Sequence, residues 1–364
     1  MTALRGLPRI ISRPGAADTL PYELEGEVLL VTDLGVAEAG LLSKLAHSNW
    51  STLVQDVGEP THEMVDELAS FLREQTPDWV VALGGGSVMD VVKLASCVAS
   101  SESSASTFVE GAALPEPLCK RAMVPTTAGT GSEVTRTAVF KDEKDHKTWA
   151  WGDHLGSELV VLDGEFTVGL PHQVTALSGM DAVAHALEAF MSPRCCEFAS
   201  SFCLQALSLA GFHLPVVLNS PQDMKARQGM LVASLFAGVG IDLCGTGIAH
   251  AAAHAAATTG GSGHAAGVIW AMPTAIYWNL PHAPERYSRA ARALASDSYT
   301  SIMQGWMNVL QHCGELPRPT ELTEVGLKGA LQLPENAPML RNNPRQVGPE
   351  DLDELVELLL EQTA

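Results

Sequence analysis

The sequence has few basic residues, few aromatic residues and no paired-cysteine motif. Its 364 residues include 22 Lys and Arg against 42 Asp and Glu, a net charge of −20, and only 5% are aromatic. A surface this acidic repels the phosphates of nucleic acids and anionic membranes, so neither is an expected partner. The seven cysteines form no Cys-x-x-Cys pair, and we expect them to be reduced and mostly buried.

The sequence also shows no signal peptide and no obvious membrane span. Arg5, Arg9 and Arg13 interrupt the apolar residues near the amino terminus, and no run of about 18 uncharged apolar residues stands out. Hydrophobic residues make up 46% of the chain, enough for a large core. These features predict a soluble, cytoplasmic protein.

Strand-like and helix-like segments alternate in the first part of the chain. Apolar runs predict strands at 28–32, 52–54, 79–83 and 158–163, and helical spacing predicts helices at 35–47, 62–75 and 87–99. This alternation is typical of a parallel α/β sheet, and the continuously apolar strands indicate a sheet covered on both faces. After residue 170, Ala-rich segments predict helices at 174–191, 198–214, 226–243, 247–259, 283–295 and 351–360. We therefore predict two domains, residues 1–170 and 171–364.

A glycine-rich turn follows the third predicted strand. Gly84, Gly85 and Gly86 let the backbone approach a bound group, and Ser87 is predicted to cap the next helix, with Asp90 completing a capping pair. The start of such a helix can bind a pyrophosphate. The Gly-x-Gly-x-x-Gly fingerprint is absent, so an ordinary tight turn is an equally good interpretation.

Two further features favour a nucleotide site. Residues 125–133 form a loop rich in Thr and Gly that could line a nucleotide cleft, although it could also be an ordinary exposed loop. Asp33 ends the first predicted strand, where its carboxylate could bind ribose hydroxyls and oppose a 2′-phosphate, which favours NAD(H) over NADP(H). An Asp at this position could equally cap a helix.

Histidines and one aspartate recur at helical spacing in the second half of the chain. Asp181 and His185 are four residues apart, as are His250 and His254, and His264 follows ten residues later. On helices each pair shares a face, and one carboxylate with several imidazoles suits Fe(II) or Zn(II). Ala251 stands where a zincin motif needs its glutamate. The alternative is that these histidines only pack in the core or lie on the surface.

Four motifs in this order resemble those of the iron-containing (group III) alcohol dehydrogenases. They are Gly84-Gly-Gly-Ser-x-x-Asp90, Pro125-Thr-Thr-Ala-Gly-Thr-Gly-Ser-Glu133, Gly179-Met-Asp-Ala-Val-Ala-His-Ala-Leu-Glu188, and the His250, His254 and His264 spacing. The resemblance extends from about residue 28 to residue 345. It implies a dehydroquinate synthase-like architecture. In this architecture a nucleotide-binding α/β domain with a Rossmann-like sheet (1–170) precedes an all-helical metal-binding domain (171–364), with the metal in the cleft between them.

The resemblance also implies an activity and a set of site residues. The activity is hydride transfer between NAD(P)H and a small aldehyde, assisted by Fe(II) or Zn(II), in a homodimer. The matching metal ligands are Asp181, His185, His250 and His264, and His254 matches a histidine near the substrate that could relay protons. The matching and neighbouring cofactor-binding candidates are Asp33, Gly85, Gly86, Ser87, Asp90, Thr126, Thr127, Thr130 and Lys147.

Departures from the family pattern leave the substrate open. Glu59 stands where many members have a cofactor-contacting asparagine, and the residues around His250 and His264 also differ. A phosphonoacetaldehyde reductase-like member would need a cation such as Arg194, Arg286 or Arg289. Two other interpretations are an NAD-using lyase or cyclase similar to dehydroquinate synthase and a non-catalytic nucleotide-binding protein.

Overall fold

The computed structural model describes residues 6–45, 50–109, 111–143, 146–261, 263–295 and 301–361. The chain divides into two compact units, one formed by Arg5–Leu170 and one that contains Pro171–Ala364. The first unit is an α/β structure and the second is helical, so the predicted fold class is confirmed.

A parallel six-stranded sheet forms the centre of the first unit. Its order is β1-β8-β5-β4-β2-β3, and a separate antiparallel hairpin joins β6 to β7. The strands are β1 (Arg9–Ser12), β2 (Val28–Asp33), β3 (Ser51–Gln55), β4 (Trp79–Gly84), β5 (Lys120–Pro125), β6 (Thr137–Lys141), β7 (Lys147–Trp151) and β8 (Leu159–Leu162). β2 and β4 are buried along almost their whole length, as their unbroken apolar runs predict.

The strand order creates a switch point between β2 and β4. From β2 the chain moves outward to β3 and then returns to the other side of β2 to form β4. In open α/β sheets, ligands bind beyond the carboxyl ends of the strands at such a point. Thr32 pairs with Leu83, so Asp33 and Gly84 end neighbouring strands at this edge.

Helices cover this sheet and make up the second unit. They are α1 (Leu20–Glu23), α2 (Leu34–Glu38), α3 (His62–Gln75), α4 (Gly86–Val98), α5 (His172–Met191), α6 (Glu197–Asn219), α7 (Met224–Cys244), α8 (Ile248–Thr259), α9 (His264–Asn279), α10 (Pro284–Ala295), α11 (Ile302–Leu310), α12 (Glu324–Leu331), α13 (Ala337–Arg341) and α14 (Leu352–Glu361). α2 is much shorter than the helix predicted at 35–47, whose last two residues lie outside the described residues. Strands β1, β5, β6 and β7 and helices α1, α9, α11, α12 and α13 were not predicted.

α6 and α7 meet the length and hydropathy of a membrane span, although no such run stood out in the sequence. In the most apolar window of each helix, 44% of α6 and 67% of α7 is buried within the structure. Core helices pass the same test, and these two pack against each other and against α5. We therefore describe them as core helices of the second unit.

Candidate metal and cofactor sites

Three helices bring the four predicted metal ligands together. Asp181 and His185 lie one turn apart on α5, His250 lies in the first turn of α8, and His264 begins α9. One ligand atom from each of these four residues lies within 4.8 Å of all the others. The i, i+4 spacing places Asp181 and His185 side by side on α5, whereas the packing of α9 against α5 and of α8 against α9 brings His250 and His264 to them.

The distances inside this group suit a coordinated cation. His185 Nδ1 lies 3.7 Å from Asp181 Oδ2, and His250 Nε2 lies 3.8 Å from Asp181 Oδ1. The rings of His185 and His250 are stacked with centroids 4.5 Å apart. Ligand atoms about 2.1 Å from a tetrahedral Zn(II) lie about 3.4 Å from one another, so small shifts would complete such a site.

The chemistry of the donor set also fits a divalent ion. Asp181, His185 and His250 are buried, and within the described part of the chain Asp181 Oδ1 accepts no hydrogen bond. A buried carboxylate oxygen without a hydrogen bond costs free energy unless a cation compensates it. One carboxylate and three imidazoles are donors that both Fe(II) and Zn(II) accept.

Glu188 also belongs to this site, and the sequence interpretation did not single it out. It lies on α5 one turn beyond His185, and its Oε2 is 2.5 Å from His250 Nδ1. It also accepts hydrogen bonds from the backbone N–H groups of Gly247 and Ala249, at 2.8 and 2.6 Å. Burial raises the pKa of Glu188, but the hydrogen bonds from His250 and from these two backbone N–H groups outweigh burial and hold the pKa below its ordinary value.

His254 lies beside the ligand group without belonging to it. It follows His250 by one turn of α8, and its ring centroid is 5.5 Å from that of His264. His254 is half-buried, whereas His250 is buried. This position is compatible with the predicted role near a substrate.

The two predicted cofactor loops contact each other at the carboxyl edge of the sheet. Gly84 of β4 pairs with Pro125 of β5. A Cβ atom on Gly86 would lie 2.7 Å from Thr130 Cγ2, and one on Gly85 would lie 3.4 Å from Thr127 Oγ1. The loops can therefore approach this closely only because residue 86 is a glycine, whereas a Cβ atom at residue 85 would make an ordinary van der Waals contact.

The predicted cap of α4 is wrong. The helix begins at Gly86 and its N-cap is Gly85, so Ser87 is the second residue of the helix. The observed N-cap, Gly85, therefore lies two residues before the predicted one, Ser87. No side chain in the described ranges caps this helix. The open N–H groups of this helix start remain suited to a phosphate.

Asp90 and Lys93 of α4 bind the Thr-rich loop at residues 125–133 and the residues just after it. Instead of completing a helix cap, Asp90 accepts hydrogen bonds from Ser132 Oγ and from Val139 N, and its Oδ1 lies 3.0 Å from Lys93 Nζ. Lys93 is fully buried and donates to Ser132 O at 2.9 Å and to Thr135 Oγ1 at 3.2 Å. The structure thus makes Asp90 an anchor of the loop and adds Lys93, which the sequence interpretation missed.

The remaining cofactor candidates have identifiable partners. Asp33 caps α2, with Oδ1 accepting from Val36 N at 2.8 Å, which uses one of about four acceptor positions of the carboxylate. Thr126 is buried and its N–H donates to Gly84 O at 3.0 Å. Lys147 Nζ lies 3.2 Å from Glu59 Oε1.

Glu59 therefore meets the lysine that the resemblance assigns to the cofactor. Burial raises the pKa of Glu59, but the ammonium groups of Lys147 and Lys141 outweigh burial and hold the pKa below its ordinary value. The carboxylate lies 3.2 Å from Lys141 Nζ as well. Glu59 thus compensates the charge of the predicted cofactor lysine.

Two family models match consecutive parts of the chain. "Iron-containing alcohol dehydrogenase" matches residues 8–164, and "Fe-containing alcohol dehydrogenase family, C-terminal" matches residues 175–360. Together they cover the sheet, both cofactor loops and all four candidate ligands.

Individual relatives agree with these family matches. A probable alcohol dehydrogenase, EutG, of Escherichia coli (strain K12) is 33% identical over 65% of this chain and 60% of its own length. The sulfoacetaldehyde reductase of Bilophila wadsworthia (strain 3_1_6) is 28% identical over 91% of each chain. The solved sulfoacetaldehyde reductase from Bifidobacterium kashiwanohense, in complex with NAD+, is 25% identical, with a TM-score of 0.84 and 99% of each chain covered. The chain therefore belongs to the iron-containing alcohol dehydrogenase family, whose members are metal-dependent, NAD(P)-dependent oxidoreductases.

Proposed function

We propose that this protein reduces a small aldehyde with NADH, reversibly, at a divalent cation held by Asp181, His185, His250 and His264. The observation that carries the proposal is the convergence of these four side chains, with one ligand atom from each within 4.8 Å of the others. Either Fe(II) or Zn(II) suits this donor set. We assign nucleotide binding to residues 1–170 and metal binding to residues 171–364.

The chain's own residues hold the reactants and move one proton. A bound divalent ion supplies Lewis acidity toward a carbonyl oxygen, and NADH supplies the hydride. We assign to His254 the delivery of a proton to the product oxygen, directly or through a water, because it adjoins the ligand group and an imidazole titrates near neutral pH.

The switch point between β2 and β4 supports a dinucleotide site there. Gly85, Gly86 and the start of α4 offer backbone N–H groups to a pyrophosphate, and Thr127 and Thr130 adjoin them. Asp33 ends the neighbouring strand. In dinucleotide sites a carboxylate at this position accepts hydrogen bonds from ribose hydroxyls and repels a 2′-phosphate. We therefore propose NAD(H) as the preferred cofactor.

The arginines considered for an anionic substrate have roles in packing. Arg286 donates to Phe190 O, and both Arg286 and Arg289 lie over the Phe190 ring, at 5.0 and 5.3 Å from its centroid. Arg194 donates to Leu243 O at 3.4 Å. These contacts favour an uncharged aliphatic aldehyde, and the relatives named for sulfoacetaldehyde make an anionic aldehyde the necessary comparison.

We further propose a cytoplasmic homodimer.

Steady-state assays test this function. Purified protein reconstituted with Fe(II) or Zn(II) is given NADH or NADPH with propionaldehyde, sulfoacetaldehyde or phosphonoacetaldehyde. We expect net oxidation of NADH, faster than of NADPH, with kcat/KM highest for propionaldehyde, and we expect His264→Ala to lose bound metal and most turnover while keeping its circular dichroism spectrum. Full activity of His264→Ala without metal would refute the metal role. Binding of NADH with no net oxidation by any aldehyde would instead favour a lyase or a non-catalytic protein.

A further inference from the structure

Glu188 joins a metal ligand to the start of a helix. Its carboxylate is buried, with Oε2 2.5 Å from His250 Nδ1 and 2.8 Å from the N–H of Gly247, and Oε1 2.6 Å from the N–H of Ala249. A carboxylate only accepts hydrogen bonds, so the side facing His250 requires a proton on Nδ1. The lone pair of His250 is then on Nε2, the atom that lies 3.8 Å from Asp181 Oδ1.

The same carboxylate fixes the backbone that carries His250. The first N–H groups of a helix have no partner within the helix. In α8, Glu188 accepts from Gly247 and Ala249, and Asn343 Oδ1 accepts from Ile248 N at 3.1 Å between them. Movement of Glu188 would therefore shift both the ring and the backbone of His250.

Gly247 makes this arrangement possible. A Cβ atom at this position would lie 3.1 Å from Glu188 Oε1 and 2.7 Å from Asn343 Oδ1. Only a residue without a side chain lets the two acceptors meet the start of α8 so closely.

The charges around the site agree with this role. Asp181 and Glu188 are both buried, and their two negative charges would neutralise the charge of one divalent cation. Glu188 is not among the four residues whose ligand atoms converge within 4.8 Å. A bound ion would therefore be influenced by Glu188 through His250 and through its charge, and would not be coordinated by it.

We propose that Glu188 is a positioning residue for the metal centre, which sets the tautomer and orientation of His250 and thereby the affinity for a divalent cation. This inference rests on the proposed function, because it assumes that the four side chains bind such a cation. Glu188 thus joins the four candidate ligands that the family resemblance implies, and its role is inferred from its contacts alone.

Co(II) binding to metal-free protein tests the proposal without any measurement of turnover. Wild type, Glu188→Gln and a matched acid-to-amide control, Asp223→Asn, are titrated with Co(II), and both the dissociation constant and the visible absorption bands are recorded. Asp223 caps α7 through Ala226 N at 2.9 Å and contacts no candidate ligand in the described structure. We expect Glu188→Gln to weaken Co(II) binding about 10- to 100-fold and to shift the bands. Asp223→Asn should bind Co(II) like wild type.

The outcomes separate this inference from the proposed function. Equal Co(II) affinity and identical bands in Glu188→Gln and wild type would overturn the positioning role while leaving the metal site intact. Failure of wild type to bind Co(II), or binding by His264→Ala as tight as wild type, would overturn the metal site and this inference with it. If Glu188→Gln does not fold, Glu188→Asp, which keeps the charge but withdraws it from His250, replaces it, and unchanged affinity there would also overturn the role.

Discussion

His250 and His254 lie on one face of α8 in different surroundings. Glu188 accepts a hydrogen bond from Nδ1 of His250 at 2.5 Å. A histidine that binds a metal through one ring nitrogen normally donates the N–H of the other nitrogen to such an acceptor. His254 is half-buried and lies outside the converging group, with its ring 5.5 Å from that of His264. This difference supports the proposal that the first imidazole binds the metal and that the second transfers a proton.

Replacement of His254 by alanine should separate these two roles. We expect His254→Ala to keep the metal content of wild type and to lower kcat by at least about 100-fold, because general acid–base catalysis contributes about 10²- to 10⁴-fold. The limb of the pH–kcat profile that reports the imidazole should disappear. The measurements are metal analysis and kcat between pH 5 and pH 9, with the exposed His282→Ala as control. An unchanged pH profile would assign His254 to packing.

The proximity of individual candidate ligands could be predicted where spacing along one helix determines a shared face. Asp181 and His185 are such a pair, and the structure brings them together as expected. Glu188 could not be predicted in the same way, because its partners Gly247 and Ala249 lie about sixty residues further along the chain. A glutamate at helical spacing is also a common feature of a solvent-exposed face, and only tertiary structure shows that this one is buried.

The turn between β4 and α4 depends on its close approach to the Thr-rich loop. A Cβ atom on Gly86 would lie 2.7 Å from Thr130 Cγ2 and 2.8 Å from Thr130 Oγ1. Asp90 and Lys93 hold the other side of that loop through Ser132, so it has little freedom to move away. The spacing of the two loops is therefore set by the absence of a side chain at Gly86.

Gly86→Ala should consequently weaken cofactor binding. Overpacking of about 1–3 kcal/mol would force the turn and the Thr-rich loop apart and so displace the N–H groups that we assign to the pyrophosphate. We therefore expect the dissociation constant of NADH to rise about tenfold or more, which corresponds to a loss of about 1.4 kcal/mol or more of binding free energy. Fluorescence titration with NADH measures it. Gly329→Ala is the matched control, because Gly329 also lies in a helix and nothing is within 4 Å of an added Cβ there. NADH binding by Gly86→Ala equal to that of Gly329→Ala would mean that the dinucleotide does not use this turn.

Elements with a strong periodic signal could be predicted, and those defined by their neighbours could not. β2, β4 and α3 lie within a few residues of their predicted positions, because their apolar patterns fit one structure only. β5 begins with Lys120 and Arg121, which suggest a loop. In the structure Arg121 is buried, with its guanidinium bound to His154 O and 3.1 Å from Glu158 Oε1.

At the scale of the whole chain, metal and cofactor candidates lie in different compact units. All four candidate ligands and Glu188 are in the unit that contains Pro171–Ala364, whereas the glycine turn, Asp33 and the Thr-rich loop are in Arg5–Leu170. A ligand that binds only the folded state stabilises the unit that binds it. The two ligands should therefore protect different parts of the chain.

Removal of the metal should destabilise the helical unit selectively. An ion present at 1,000 times its dissociation constant contributes about 4 kcal/mol of stability, which for a unit of this size corresponds to about 10 °C in the midpoint of unfolding. We expect a chelator to lower that midpoint and to increase hydrogen–deuterium exchange in peptides from α5, α8 and α9. NADH should instead slow exchange at the ends of β2 and β4. His264→Ala is the control, because it should already have the midpoint of chelated wild type and should not respond to chelator. Equal loss of protection in both units, or a response of His264→Ala equal to that of wild type, would show that the ion is bound elsewhere.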